Sequence, residues 1–323
     1  MCRLIAVFVV FFTGLFATQV HGNIQEIQAK AEAGDAKAQC ALGVAYVSGK
    51  GAPQDVVRAV TWFRKAAEQG YVAAQMNLGK VYAEGLGVDK DITEAAKWFR
   101  RAAEQGDAEA QFITAYSYFQ GNGVPKNSAE AVTWFRKAAE QGHSKAQFSL
   151  AASYNTGDGI AQNKSEAASW FRKAAEQGHA GAQLQLGGMY YDGVGVRQDR
   201  VEAARWLRMS AEQNNGYAQY LLGKIYASGD GADRDNVEAA KWLLKAAKNG
   251  EPDAQLAVAL IYAAGRGVPK DYVSAHAWLN IASSRGNEDA QKLLASIEDE
   301  MTREQKAEAM KRASQLFAEI KKE

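Results

Sequence analysis

Residues 71–106, YVAAQMNLGKVYAEGLGVDKDITEAAKWFRRAAEQG, are one copy of a unit that recurs along the chain at a constant step of 36 residues. Ala-Gln pairs stand at 38–39, 74–75, 110–111, 146–147, 182–183, 218–219, 254–255 and 290–291, and Trp62, Trp98, Trp134, Trp170, Trp206, Trp242 and Trp278 keep the same spacing. No insertion breaks that register between residues 35 and 286, so the chain is a stack of one supersecondary unit.

Within the unit, Ala74, Leu78, Val81 and Tyr82 recur at helical spacing and predict a first helix, A, with one apolar stripe. Position 79 is only ever Gly or Ala (Gly43, Gly79, Ala115, Ala151, Gly187, Gly223, Ala259), which marks close approach by a neighbouring backbone. Alanine at 79 is therefore expected to fit, and leucine to overpack. A Gly-x-Gly loop, from Gly49/Gly51 to Gly265/Gly267, ends helix A. Asp55, Asp91, Asn127, Asn163, Asp199, Asp235 and Asp271 then stand where the N-cap of a second helix, B, belongs. Glu94, Glu130, Glu166, Glu202 and Glu238 follow at capping-box spacing. Helix B carries Trp98, Phe99, Ala102 and Ala103 inward and stops at Gly106, with Asn214 as the substitute best able to take a left-handed cap.

The ends depart from the unit. Residues 23–34 align with a helix B that has Glu26 at the Trp position and read as an N-terminal capping helix; residues 287–323 read as C-terminal capping helices with Met310, Ala313, Phe317 and Ile320 on one face. Residues 1–22, with Arg3 followed by the apolar run Leu4–Phe12 and small residues up to Gly22, read as a secretory signal peptide. An uncleaved anchor is the weaker alternative, because Thr13, Gly14 and Gln19 leave fewer than the ~20 apolar residues a membrane span needs. Without Arg3, 37 basic residues face 37 acidic ones, which argues against a nucleic-acid partner. Cys40 is then the only cysteine left, at an apolar position of the repeat, and reads as a buried structural residue.

The pattern A-x-A-Q-x-x-L-G-x-x-Y, G-x-G-V-x-x-D, A-x-x-W-F-x-K-A-A-E-Q-G resembles the Sel-one-like repeat (SLR), a relative of the tetratricopeptide repeats, over essentially all of residues 23–323. The resemblance implies an all-α fold, a right-handed α-solenoid of antiparallel helix pairs with seven full repeats over 35–286 and helix A lining the concave side. It also implies adaptor work in an exported bacterial protein, periplasmic or secreted, with no membrane span once the signal is removed.

The Gly-x-Gly loops follow no strand and read as turns. Asp230, Asp233 and Asp235 lack the twelfth-position glutamate of a calcium loop, since Lys241 stands there. His143 and His179 occupy capping positions without a third zinc ligand, and His276 reads as packing. No metal and no cofactor is expected. The row Arg64, Arg100, Arg136, Arg172, Arg208 has a glutamate four residues after each and reads as a salt-bridged face; the repeated glutamine, from Gln39 to Gln291, reads as a hydrogen bond to backbone between helices. A β-lactam hydrolase, associated with cysteine-rich relatives, is disfavoured by the missing paired cysteines and the absence of Ser-x-x-Lys, Ser-Asp-Asn and Lys-Thr-Gly. The chain is read as not an enzyme.

Comparison of copies separates constrained from free positions. On helix A the series at 37, 41, 44 and 48 share a face and vary freely, with position 47 bordering them. The candidate partner-binding residues there are Asn77, Lys80, Ile113, Tyr116, Phe119, Asn155, Tyr191, Tyr217 and Lys224. The reading is a non-enzymatic adaptor that holds a protein or peptide; the alternative is a glycan- or peptidoglycan-associated envelope protein, for which stacking aromatics would serve.

Overall fold

A computed structural model of the chain describes residues 24–320, and every regular element among them is an α-helix. Residues 1–22, read above as a signal peptide, lie outside the described residues. Two compact units are present, one running to Ala146 with Asp158–Ile160, the other formed by Gln147–Gly157 and Ala161 onward. In the first unit α1 (Ile24–Glu32) precedes three A/B pairs: α2 (Ala36–Ser48) with α3 (Val56–Glu68), α4 (Val72–Glu84) with α5 (Ile92–Glu104), and α6 (Ala108–Gln120) with α7 (Ser128–Glu140). Then come α8 (Ser144–Thr156) and α9 (Lys164–Glu176). The second unit continues with α10 (Ala180–Asp192) and α11 (Arg200–Glu212), α12 (Gly216–Ser228) and α13 (Asn236–Lys248), α14 (Pro252–Ala264) and α15 (Tyr272–Ser284). It closes with α16 (Glu288–Glu298) and α17 (Arg303–Ile320), the latter packed on α15.

Within a pair the helices run antiparallel. Gly79 of α4 faces Phe99 of α5, while the later Tyr82 carbonyl accepts from the earlier Asp91 amide at 2.9 Å. The second helices bury the residue after the Trp most completely: Phe63, Phe135, Phe171 and Leu207 are almost wholly enclosed, and all the tryptophans but Trp62 are buried with them. Each such side chain stabilises its repeat by roughly 1.5–3 kcal/mol.

Punctuation follows the chemistry of the cap residues. Asp55, Asp91, Asn127, Asn163, Asp199, Asp235 and Asp271 each accept a backbone N–H of the helix they open. Asn214, at φ 67°, is the one described non-glycine residue with positive φ, and Pro252 opens α14. The second glycine of each loop has a separate task. A Cβ at Gly267 would lie 1.8 Å from the Asn236 carbonyl oxygen, so the loop rests directly on the first turn of the preceding repeat's helix B.

The capping box closes differently from its sequence reading. The N-cap amides are already taken by the tyrosine carbonyl of the preceding helix, as in Asn127 N to Tyr118 O at 2.8 Å, which releases the glutamates. Glu130 accepts instead from the Trp134 indole at 2.9 Å, whereas Glu94 pairs with Lys97 at 2.9 Å and leaves the buried Trp98 indole nitrogen without a partner. Alanine at 79 also fits less easily than the alanine-bearing repeats suggest. Its Cβ would stand 2.7 Å from Phe99, because the ring has settled over the missing methyl.

Candidate functional site

The invariant glutamines come first, because they hold neighbouring repeats in register. Gln75 donates to the Ala67 carbonyl at 3.2 Å, and the pattern repeats from Gln39 to Ala31, Gln111 to Ala103, Gln183 to Ala175, Gln219 to Ala211 and Gln255 to Ala247. Down to Gln219 their own carbonyl oxygens accept from the terminal amide of the paired helix B, as Gln105 to Gln75 and Gln213 to Gln183, each at 2.8 Å, and Asn249 to Gln219 at 2.9 Å. The run ends at Gln255, whose buried Oε1 lacks a partner, since Arg285 stands where that donor would be and turns to the Gly250 carbonyl. These glutamines are structural.

Beside these glutamines, the variable face of helix A presents an aromatic cluster in the first unit. Tyr116 is the exposed crest, 37% accessible, with Phe112 at 6.2 Å and Phe119 at 6.4 Å between ring centroids. Both phenylalanines rest on Phe135, and Phe112 stacks on His143 at 4.8 Å. Ile113 is half-buried beside them, and the Lys126 ammonium lies 5.9 Å from the Phe119 ring. His143 caps its helix through Nδ1, so Nε2 carries the proton toward Glu109 at 2.9 Å; that contact holds the Glu109 carboxyl below its ordinary range. On α4, Lys80 adds positive potential at Glu109, and half-buried Asn77 donates to the Cys40 sulfur at 3.6 Å. Cys40 itself is buried, as its apolar position requires, and burial pushes its thiol up to about 11.

In the second unit Tyr217 is 46% accessible and lies 6.1 Å from Tyr220, whose ring also faces the Lys224 ammonium at 5.4 Å. Burial and the nearby Asp253 carboxylate raise the Tyr220 hydroxyl above its ordinary range. Tyr191 and Asn155 are differently placed. Tyr191 donates to Asp230 at 3.1 Å, while Arg200 reaches the same carboxylate and covers the Tyr191 ring. Asn155 Oδ1 accepts from Lys164 at 2.9 Å, and its carbonyl receives Lys164 and Gln162. Asn155 thus ties its helix A to the loop and helix that follow, and Tyr191 ties its helix A to the loop of the next repeat.

Thus Tyr116 and Phe119 come together in one cluster, with Ile113 three positions before Tyr116 on the same helix, and Tyr217 and Lys224 come together through Tyr220. Phe112 and Tyr220 were missed by sequence comparison, because their position is apolar in every repeat and reads as core. The available signal was bulk: Cys40 and Met76 are buried there, whereas the aromatic rings of Phe112 and Tyr220 protrude and are half-exposed.

Other candidates resolve into structure. Asp230 is committed to Arg200 and Tyr191, and Asp235 caps α13. Among the described residues there is no group of three or more His, Cys, Asp or Glu suited to hold a metal. The arginine row is only partly salt-bridged. Arg100 pairs with Glu104 at 2.9 Å and donates to the Tyr118 hydroxyl at 3.1 Å, while Arg64 and Arg172 reach Tyr82 and Tyr190 of the following repeat. His276 is buried, accepts from Asn280 at Nδ1 and meets Glu298 at 2.9 Å through Nε2, joining α15 to α16.

A family model described as Sel1 repeat matches residues 36–71, 72–107, 108–143, 144–179, 180–215, 216–251 and 252–287. The fold is similar to a Sel1 repeat protein from Oxalobacter formigenes, at 37% identity and TM-score 0.69 over 85% of this chain and 79% of that one. It is also similar to c5321, described as a protective antigen of uropathogenic Escherichia coli with an SLR fold, at 28% identity and TM-score 0.50 over 93% and 95% of the two chains. A curated relative, the secretory immunoglobulin A-binding protein EsiB of Escherichia coli, is 40% identical over 62 residues, which are 18% of this chain and 13% of EsiB.

Proposed function

Because the chain belongs to the Sel1 repeat family, we propose that it is a non-enzymatic interaction scaffold that holds a protein or peptide against the variable faces of its A helices. The observation that carries this reading is the aromatic crest at Tyr116. An exposed ring is backed by Phe112, Phe119 and Phe135, so it can bury apolar area on a partner at little cost in side-chain order. Tyr217 with Tyr220 and Lys224 repeats the arrangement in the second unit. The immunoglobulin-binding name of EsiB supports a proteinaceous ligand in this family, although the match covers a small share of that protein. Export to the periplasm or medium is part of the proposal and rests on the apolar segment before Gly22. No described helix is long and apolar enough to cross a membrane.

The test is partner capture by purified variants. Tyr116→Ala and Tyr217→Ala are expected to weaken capture by ~1–3 kcal/mol each while leaving helicity intact. Arg58→Ala, on the opposite helix, should change it by less than ~0.5 kcal/mol. Loss of capture in the arginine variant alone would move the binding surface to the B helices.

A further inference from the structure

We infer that the junction of the fourth and fifth repeats, within the second unit, carries an oxyanion site of the phosphate class, held by Arg172 of α9 and Arg197 of the loop before α11. Arg172 belongs to the periodic row, and the fold fixes it: its guanidinium donates to the Tyr190 hydroxyl and lies 5.6 Å over that ring. It forms no ion pair with Glu176, although Arg100 pairs with the equivalent Glu104. Arg197 is not periodic. The same repeat position holds Pro53, Asp89, Pro125, Ala161, Asp233 and Pro269, so the fold does not ask for a cation there. It has no hydrogen-bond or ion-pair partner among the described residues.

Both arginines line one open cleft of about 580 Å³, together with Tyr190, Val196, Gln198 and Asp199. The lining also holds one carboxylate, Asp199, so its two guanidiniums leave a net positive charge. Asp199 Oδ1 caps α11 by accepting from the Glu202 amide at 2.9 Å, and Gln198 donates to the Tyr191 carbonyl at 2.8 Å. Beside the second oxygen of Asp199, the cleft offers the N–H groups of Arg172 not given to Tyr190 and the whole fork of Arg197. Guanidinium pairs recognise phosphate-type oxyanions through charge-assisted, multidentate hydrogen bonds. The two groups come from different elements, helix α9 and the loop before α11, so the site exists only when the repeat interface is formed.

The experiment follows the arginine side-chain N–H resonances of the full chain by NMR while inorganic phosphate replaces chloride at constant ionic strength. The Arg172 and Arg197 signals are expected to shift saturably. Arg197→Ala, which copies the residue at 161 and leaves the fold untouched, is expected to weaken binding at least fivefold. Arg64→Ala, which removes the same arginine–tyrosine contact where no second guanidinium stands, is expected to leave it unchanged. A parallel titration with phosphatidic acid vesicles against phosphatidylcholine vesicles distinguishes a lipid headgroup from soluble phosphate, and Arg197-dependent binding in either arm supports the site. Absence of saturable shifts in both arms, or equal affinity in Arg197→Ala, overturns it.

Discussion

Replacing Gln183 tests whether the glutamine ladder clamps the repeats. The side chain is 1% accessible, donates to the Ala175 carbonyl at 3.1 Å and accepts from Gln213 at 2.8 Å. Leucine is close in volume, so Gln183→Leu removes both bonds with little cavity. Two net hydrogen bonds are together worth ~1–3 kcal/mol. The partners are not left bare, since the Ala175 carbonyl keeps its bond from the Gly178 amide at 2.9 Å and exposed Gln213 can turn to water. The expected cost is therefore in the lower part of that range, about 1–2 kcal/mol. Gln183→Glu adds a sharper signature. Only a protonated carboxyl can both donate to Ala175 and accept from Gln213, so the folded-state pKa of the new glutamate is raised. Its stability is fully present below the unfolded value and is lost as pH rises toward the folded value. An unfolded pKa of about 4.3 limits the loss at pH 7 to roughly 3.7 kcal/mol. Urea unfolding followed by far-ultraviolet circular dichroism measures both, with Gln291→Leu, at the exposed end of the series, as the control expected within ~0.5 kcal/mol of the parent. If Gln183→Leu is as stable as Gln291→Leu and the glutamate variant shows no recovery in acid, the ladder does not hold the repeats together.

Gly267→Ala should be strongly destabilising, by more than ~2 kcal/mol in the same assay, because its Cβ meets the Asn236 carbonyl at 1.8 Å and φ is 75°. Lys97→Ala should be neutral or stabilising by up to ~1 kcal/mol, since Glu94 is then free to accept from the Trp98 indole as Glu130 does from Trp134; repeat three already has Thr133 at that position. Native Cys40 should resist a thiol reagent at pH 8 and react fully in denaturant, because burial raises its thiol to about 11. The hydrogen bond from His276 holds Glu298 below the ordinary glutamate range, so its contribution is present above about pH 4.3 and is lost as pH falls through the lowered folded value. The melting-temperature gap between the parent and Glu298→Gln is accordingly expected to shrink between pH 6 and pH 3.

Much of the fold is legible in one copy of the repeat. Asp/Asn caps, glycine stops, the left-handed Asn214 and the Trp-Phe stripe are local chemistry, and local chemistry is written in adjacent residues. Contacts between copies are harder to read. The Gln213-to-Gln183 bond joins residues 30 positions apart, and only the stacked helices show that the two amides meet. The capping glutamates were misplaced for the same reason, since the competing acceptor for the cap amide is the tyrosine carbonyl of the preceding helix. At the candidate site, variability between copies singled out Tyr116 and Tyr217, which are exposed, and also Tyr191 and Asn155, which the structure ties into loop contacts. Variability marks freedom from the repeat's common core; it does not separate a free side chain from one that braces a neighbouring loop.

The most direct test of the scaffold reading is site-specific photo-cross-linking in the native host. A photoreactive phenylalanine analogue is placed at Tyr116 and Tyr217 on the A helices and at Arg58 and Lys241 on the B helices, all exposed positions. Adducts identified by mass spectrometry should contain the same protein or peptide from both tyrosine positions and none from the B-helix positions. A partner captured from Arg58 or Lys241 and absent from Tyr116 and Tyr217 would contradict the account.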